Sequence, residues 1–147
     1  MRYMPKYLVA ALLSFAATIT VPTAASADDA ANDAAETSFS ATGDPAQGQR
    51  VFNRCKACHN LTATTRTRLG PNLDNLFGKK AGAVESYKYS RALSEADFVW
   101  TEAKLNEWLL KPSAFLPGNK MTFAGLRQEK DRKDLIAYLR RATVKAD

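Results

Sequence analysis

Cys55-Lys56-Ala57-Cys58-His59 is the stretch on which the fold of this 147-residue chain turns. Cys-x-x-Cys-His is the attachment signal for a c-type haem. Two thiols three positions apart near a helix end can both reach the porphyrin vinyl groups as thioethers, and the adjacent imidazole is then held beneath the iron. The competing readings need partners the chain does not supply. A zinc site takes four ligands, whereas His59 is the only histidine and Cys55 and Cys58 are the only cysteines. A thioredoxin-like dithiol needs a βαβ setting, and the sequence has no strand-like alternation of any length. A plain disulfide beside a chance histidine is the remaining alternative.

A sixth iron ligand has few sources. Met121 is the only methionine beyond the first few residues, so the ligand is Met121, a weaker donor such as a lysine, or nothing. A lone methionine is commonly a core filler. Here it follows Pro117-Gly118-Asn119-Lys120, a loop able to approach a flat cofactor. A thioether opposite an imidazole stabilises ferrous iron and raises the potential. With both axial positions filled, no vacant site is left for a substrate. That favours electron transfer over catalysis.

Helical signals surround the motif. Asp44 is a good N-cap, Pro45 suits the first helical position and Gln47 stands three after the cap. Gly48, Val51, Phe52 and Cys55 fall on one face, which predicts a helix from about Pro45 to Lys56. Residues 60–88 carry Gly70-Pro71, Gly78 and Gly82 among polar residues. Such a long irregular connection is uncommon in a small domain unless it wraps something. Thr101 caps a second helix with Leu105, Trp108 and Leu109 on one face, ended by Pro112. An extended loop runs from Pro117 through Gly125. A last helix is predicted from about Glu129 to Ala142, with Leu135, Tyr138 and Leu139 facing inward. The fold class is all-α: three main helices, short helices and long loops wrapped around one haem, which acts as the internal staple a domain this small needs.

The N-terminal stretch reads differently. Arg2 and Lys6 precede an apolar run from Leu8 to Val21, Pro22 breaks it, and Ala25-Ser26-Ala27 has the form of a leader-peptidase site. This is a secretory signal over residues 1–27, with cleavage after Ala27. The run falls short of the roughly 20 residues of a spanning helix, so a retained membrane anchor is the lesser reading. Residues 28–42 are Ala-rich and hold Asp28, Asp29, Asp33 and Glu36 with almost no large apolar residue. They are expected to form a disordered leader. Residues 43–147 form the domain, with 19 Lys and Arg against 11 Asp and Glu, a net of +8. A basic domain suits acidic partners. An exported protein seldom meets nucleic acid, so acidic protein faces are the expected partners and a periplasmic location the expected one.

Taken together these residues resemble a class I c-type cytochrome of the mitochondrial cytochrome c and bacterial cytochrome c2 type. Besides the haem motif, the resemblance is carried by Gly43-Asp44, Gly48, Phe52, Gly70-Pro71-Asn72-Leu73, Leu76-Phe77-Gly78, Tyr87, Tyr89, Trp100, Pro117 to Met121, Phe123-Ala124-Gly125 and Asp134 to Leu139. It spans about residues 44–142. It implies a monomeric electron carrier, not an enzyme, with one haem c on Cys55 and Cys58 and axial ligands His59 and Met121. The carbonyl of Pro71 would accept the other ring N–H of His59. Trp100 and Tyr89 would donate to the haem propionates, Tyr87 would be a further haem-binding residue, and Phe123 would cover the haem face. Gly48 would let the first helix cross the last, with Phe52 near Leu135 and Tyr138.

The resemblance also implies partners: a cytochrome bc-type complex as donor, and an oxidase or reaction centre as acceptor. Arg50, Arg54, Arg66, Arg68, Lys120 and Arg127 would ring the haem edge. A tethered form of the same carrier is one alternative. A haem peroxidase or gas-binding protein, should Met121 be labile, is another. Four positions depart from the family pattern. Trp108 replaces a tyrosine whose hydroxyl reaches the methionine sulfur. Lys79 replaces an arginine that helps hold a propionate. Leu93 replaces a water-orienting asparagine, and Thr67 replaces a histidine. These changes are expected to shift the potential and the hold on Met121.

Overall fold

The computed structural model describes residues 42–144. The expected signal segment, all but the last residue of the expected leader, and residues 145–147 lie outside them. The regular structure begins where the capping signal places it. The Asp44 carboxylate accepts from the Ala46 N–H at 2.8 Å, with Pro45 in the first turn. The helix that follows, α1, spans Pro45–Phe52 and is shorter than its periodicity predicts. From Asn53 to Cys55 each backbone N–H donates to the carbonyl three residues back, at 3.2, 3.1 and 2.8 Å. The coil therefore tightens past Phe52 rather than continuing as α-helix. Cys58 and His59 both donate to the Cys55 carbonyl at 3.0 Å, which gathers the motif into one compact turn.

Four further helices follow: α2 (Arg91–Ser94), α3 (Glu102–Leu110), α4 (Pro112–Phe115) and α5 (Glu129–Ala142). Thr101 caps α3 through the Lys104 N–H, as its position predicts. Pro112 both stops α3 and starts α4, the short helix that periodicity missed. In α5, Glu129 and Asp131 stand in the first turn and Arg140 and Arg141 in the last, which complements the helix dipole. Among the described residues the extended structure amounts to one antiparallel bridge, Lys80 to Val99.

The core forms where α1 crosses α5. Leu135, Ile136 and Leu139 are buried there with Phe52, and Phe52 and Tyr138 meet with ring centroids 5.6 Å apart. Each such side chain, fully buried, contributes roughly 1.5–3 kcal/mol. Gly48 makes the crossing possible: a Cβ there would lie 2.0 Å from the Asp134 carbonyl oxygen and 2.7 Å from the Tyr138 Cβ. Asp134, buried at this crossing, accepts from the Asp44 N–H at 2.8 Å and from Lys130 at 2.6 Å. It ties the start of α1 to α5.

Two other devices hold the loops. Phe98, Trp100, Trp108 and Phe115 form a closed ring of four near-perpendicular aromatic contacts, with centroids 5.0 to 5.9 Å apart. Edge-to-face pairs of this kind add about 0.5–1.5 kcal/mol each beyond burial. The 60–73 segment wraps Asn72, which is buried, donates to the Thr64 carbonyl at 2.8 Å and accepts from Asn60 at 2.9 Å. A loop with few apolar residues is thereby ordered through its own amides.

Candidate functional site

The turn after α1, the loops at 69–89 and 117–125, and the inner faces of α3 and α5 enclose a cavity of about 330 Å³. Cys55, Cys58 and His59 line it from the α1 side. Met121 and Phe123 line it from the loop after α4. Pro71, Tyr87, Tyr89, Trp100 and Trp108 complete the set of expected site residues, and all ten share this one cavity. Sequences 66 residues apart, from Cys55 to Met121, thus meet around a single space.

His59 is held in a defined tautomer. Its Nδ1 lies 2.8 Å from the Pro71 carbonyl oxygen. A carbonyl can only accept, so Nδ1 carries the proton and Nε2 keeps its lone pair. Burial pushes the imidazole pKa below its usual 6.5, against the opposing pull of the Pro71 bond. The ring is therefore neutral at pH 7, as a metal ligand needs to be. Gly70 lies flush against it: a Cβ there would come within 2.4 Å of the His59 Cε1. The Gly70 N–H donates to the Cys58 carbonyl at 2.8 Å, so this loop is pinned directly to the motif.

Cys55 and Cys58 are free thiols, each half-buried, and no disulfide joins them. Burial pushes the Cys55 thiol up to about 11, with nearby Arg54 pulling the other way. Met121 is fixed through its backbone. Its N–H donates to Asn119 Oδ1 at 2.9 Å, while Asn119 Nδ2 donates to the Pro112 and Leu116 carbonyls, both at 2.8 Å. The Asn in Pro-Gly-Asn-Lys-Met carried a turn signal of its own, which the sequence reading did not use.

The lining suits a flat, largely apolar, iron-bearing group. Leu76, Leu93, Leu105, Leu109, Leu135 and Leu139 supply apolar wall. An imidazole nitrogen and a soft thioether are a known axial pair for haem iron, the thioether favouring the ferrous state. Trp108 is buried and presents its indole to the same cavity lining.

A family model for cytochrome c matches residues 45–143. The chain belongs to the cytochrome c family. A cytochrome c of Chlamydomonas reinhardtii is 45% identical over 103 residues, covering 69% of this chain and 92% of the relative. A cytochrome c2 of Rhodomicrobium vannielii is 42% identical over 99 residues, covering 67% of this chain and 79% of the relative. Among solved structures, cytochrome cH from Methylobacterium extorquens superposes with a TM-score of 0.63 at 40% identity, covering 67% of this chain and 99% of that one. The all-α cytochrome c fold expected from the sequence is therefore the fold of this chain. As a cytochrome c it is a mono-haem electron carrier rather than an enzyme, with haem c attached covalently and the attachment motif at Cys55 and Cys58.

Two polar side chains of the site bond within the chain. The Tyr87 hydroxyl donates to the Leu69 carbonyl at 2.8 Å. Lys79, in the place of the propionate-holding arginine, donates to Asp74 through the carbonyl at 2.5 Å and the carboxylate at 3.1 Å. Sequence reading gave Asp74 no role; it lines the cavity beside Lys79. Of the six basic residues expected at the haem edge, all are exposed, and Arg54 and Lys120 line the cavity.

Proposed function

We propose that this cytochrome c is an exported, soluble shuttle in which Cys55 and Cys58 form the two thioethers and His59 and Met121 grip the iron from opposite sides. The observation that carries the ligation is the Nδ1–H of His59 bonded to Pro71, which leaves Nε2 to a cavity that Met121 also lines. The haem, when bound, supplies a one-electron ferric–ferrous couple. The residues of the chain do the rest. The Pro71 bond orients the imidazole and raises its basicity. Asn119 holds the Met121 backbone. The leucine wall excludes water. Trp100 and Tyr89, which line the same cavity, are proposed donors to the propionates, with Phe123 covering the haem face.

Export is supported by the signal-like residues 1–27, with cleavage after Ala27 giving a periplasmic protein. Among the described residues no helix is long and apolar enough to cross a membrane. The net +8 of residues 43–147 supports acidic partner faces. A cytochrome bc-type complex fits as donor and an oxidase or reaction centre as acceptor, with the carrier working as a monomer. The intact mass and redox-difference spectrum of the exported protein test this reading together. The expected result is a chain starting at Asp28, heavier than its amino acids by one haem, with the weak far-red band of methionine-bound ferric iron. A colourless chain of bare polypeptide mass would overturn it.

A further inference from the structure

We propose that Lys120 and Tyr87 are positioning residues for Met121, forming a clasp across the mouth of the cavity that keeps the Met121 loop closed. The inference rests on Met121 being the iron ligand. Lys120 immediately precedes Met121 and is exposed, so its ammonium has water as an alternative. Instead the side chain turns back onto a second loop. Its Nζ donates to the Lys88 carbonyl and stands over the Tyr87 ring, 4.5 Å from the centroid. A cation there is attracted by the ring face, and a charge-assisted hydrogen bond to the neighbouring carbonyl adds to the hold.

Tyr87 is itself anchored. Its hydroxyl donates to the Leu69 carbonyl at 2.8 Å, immediately before Gly70 and Pro71, the pair that packs on and bonds His59. Tyr89 meets its ring edge-on, with centroids 4.9 Å apart. One continuous path of contacts therefore runs from Met121 through Lys120, Tyr87 and Leu69 to the loop that holds His59. The other anchors of the Met121 loop lie elsewhere. Asn119 bonds to carbonyls at Pro112 and Leu116, and the Leu126 N–H donates to the Leu109 carbonyl at 2.7 Å. Those contacts fix the loop to α3 and α4. The clasp ties it to the opposite rim, where opening would begin.

The test is the rate at which imidazole binds the ferric holoprotein at pH 7, since entry requires Met121 to leave. It is read beside the far-red methionine band and the global unfolding midpoint. Lys120→Gln and Tyr87→Leu are each expected to raise the rate about ten-fold, the factor that about 1.4 kcal/mol represents. The double variant is expected to be little faster than either single, because the two residues act as one contact. Lys120→Arg keeps the cation and is expected to restore a near wild-type rate. Tyr87→Phe keeps the ring and loses the Leu69 bond, and is expected to fall between. Unchanged rates in both single variants, with the wild-type band intact, would overturn the clasp alone. So would a double variant whose rate is the product of the singles. A correctly matured wild type without the band would overturn the ligation by Met121, and the clasp with it.

Discussion

The Pro71 carbonyl accepts from His59 Nδ1 at 2.8 Å, and Gly70, one residue earlier, leaves no room for a methyl group against the same ring. The loop thus orients the imidazole by a bond on one side and by contact on another. Gly70→Ala forces either the ring or the loop to move, because the added Cβ would lie 2.4 Å from Cε1. Overpacking at such a site costs about 1–3 kcal/mol. The variant is expected to mature with a reduced fraction of haem-loaded chain by intact mass, and to unfold at lower urea. Wild-type loading and midpoint would show that the loop relaxes freely.

Asp134 makes acid a specific threat to this fold. Burial raises its pKa, but the Lys130 ammonium and the Asp44 N–H outweigh burial and hold the carboxyl below its ordinary 3.8. Between the lowered native value and 3.8 the unfolded chain binds the proton more readily than the folded one. Stability from this group is therefore complete above the ordinary value and lost as pH falls through the native one. Asp134→Asn removes the ion pair and is expected to cost about 1–3 kcal/mol at pH 7. It should also flatten the decline in stability below pH 4 in urea melts. An equal decline in variant and wild type would place the acid sensitivity elsewhere.

Much of this architecture is legible in the residue order. Asp44, Pro45 and Thr101 announce two helix starts through local hydrogen bonding, and the spacing of Leu135, Tyr138 and Leu139 marks the inner side of α5. The attachment motif is legible because its chemistry requires adjacency. The early end of α1 is not, since Asn53 and Arg54 are compatible with helix and only their shift to the carbonyl three residues back ends it. Nor is the use of polar side chains across the cavity. Nothing in the sequence around Asp74 or Tyr87 shows that one meets Lys79 and the other lies under Lys120. Those pairings depend on how loops with little periodicity fold back.

The Asp74–Lys79 pair bears on the potential. In the family pattern an arginine at position 79 would offer its charge to a propionate; here the ammonium is engaged by the Asp74 carboxylate at 3.1 Å, with each side chain about one quarter exposed. A neutralised cation stabilises the reduced, electron-richer state less than a free one. Asp74→Asn removes a negative charge from the cavity wall and leaves the Lys79 charge uncompensated, still held by the backbone carbonyl of residue 74, so the midpoint potential is expected to rise. A partly exposed charge contributes on the order of 1 kcal/mol, and about 1.4 kcal/mol corresponds to 59 mV for one electron. A rise of tens of millivolts by potentiometry is the expected outcome, and a fall or no change would discard the assignment.

Partner association should depend steeply on salt. Arg50, Arg54, Arg66, Arg68 and Arg127 are exposed. Arg68 is also pre-oriented, with Nε donating to Asn60 Oδ1 at 2.8 Å and Nη1 to the Lys56 carbonyl at 3.1 Å. A guanidinium fixed in this way presents its charge at little further entropic cost, whereas a free side chain has to be ordered on docking. The screening length falls from about 30 Å at 0.01 M salt to about 10 Å at 0.1 M. Electron-exchange rates with an acidic redox partner are expected to fall across that range. Arg68→Gln, which keeps some hydrogen bonding but loses the charge, should lower the rate at low salt and leave it nearly unchanged at high salt. A rate indifferent to salt would mean that these arginines do not steer encounter. A loss in Arg68→Gln that persists at high salt would point instead to disruption of the Asn60–Asn72 loop.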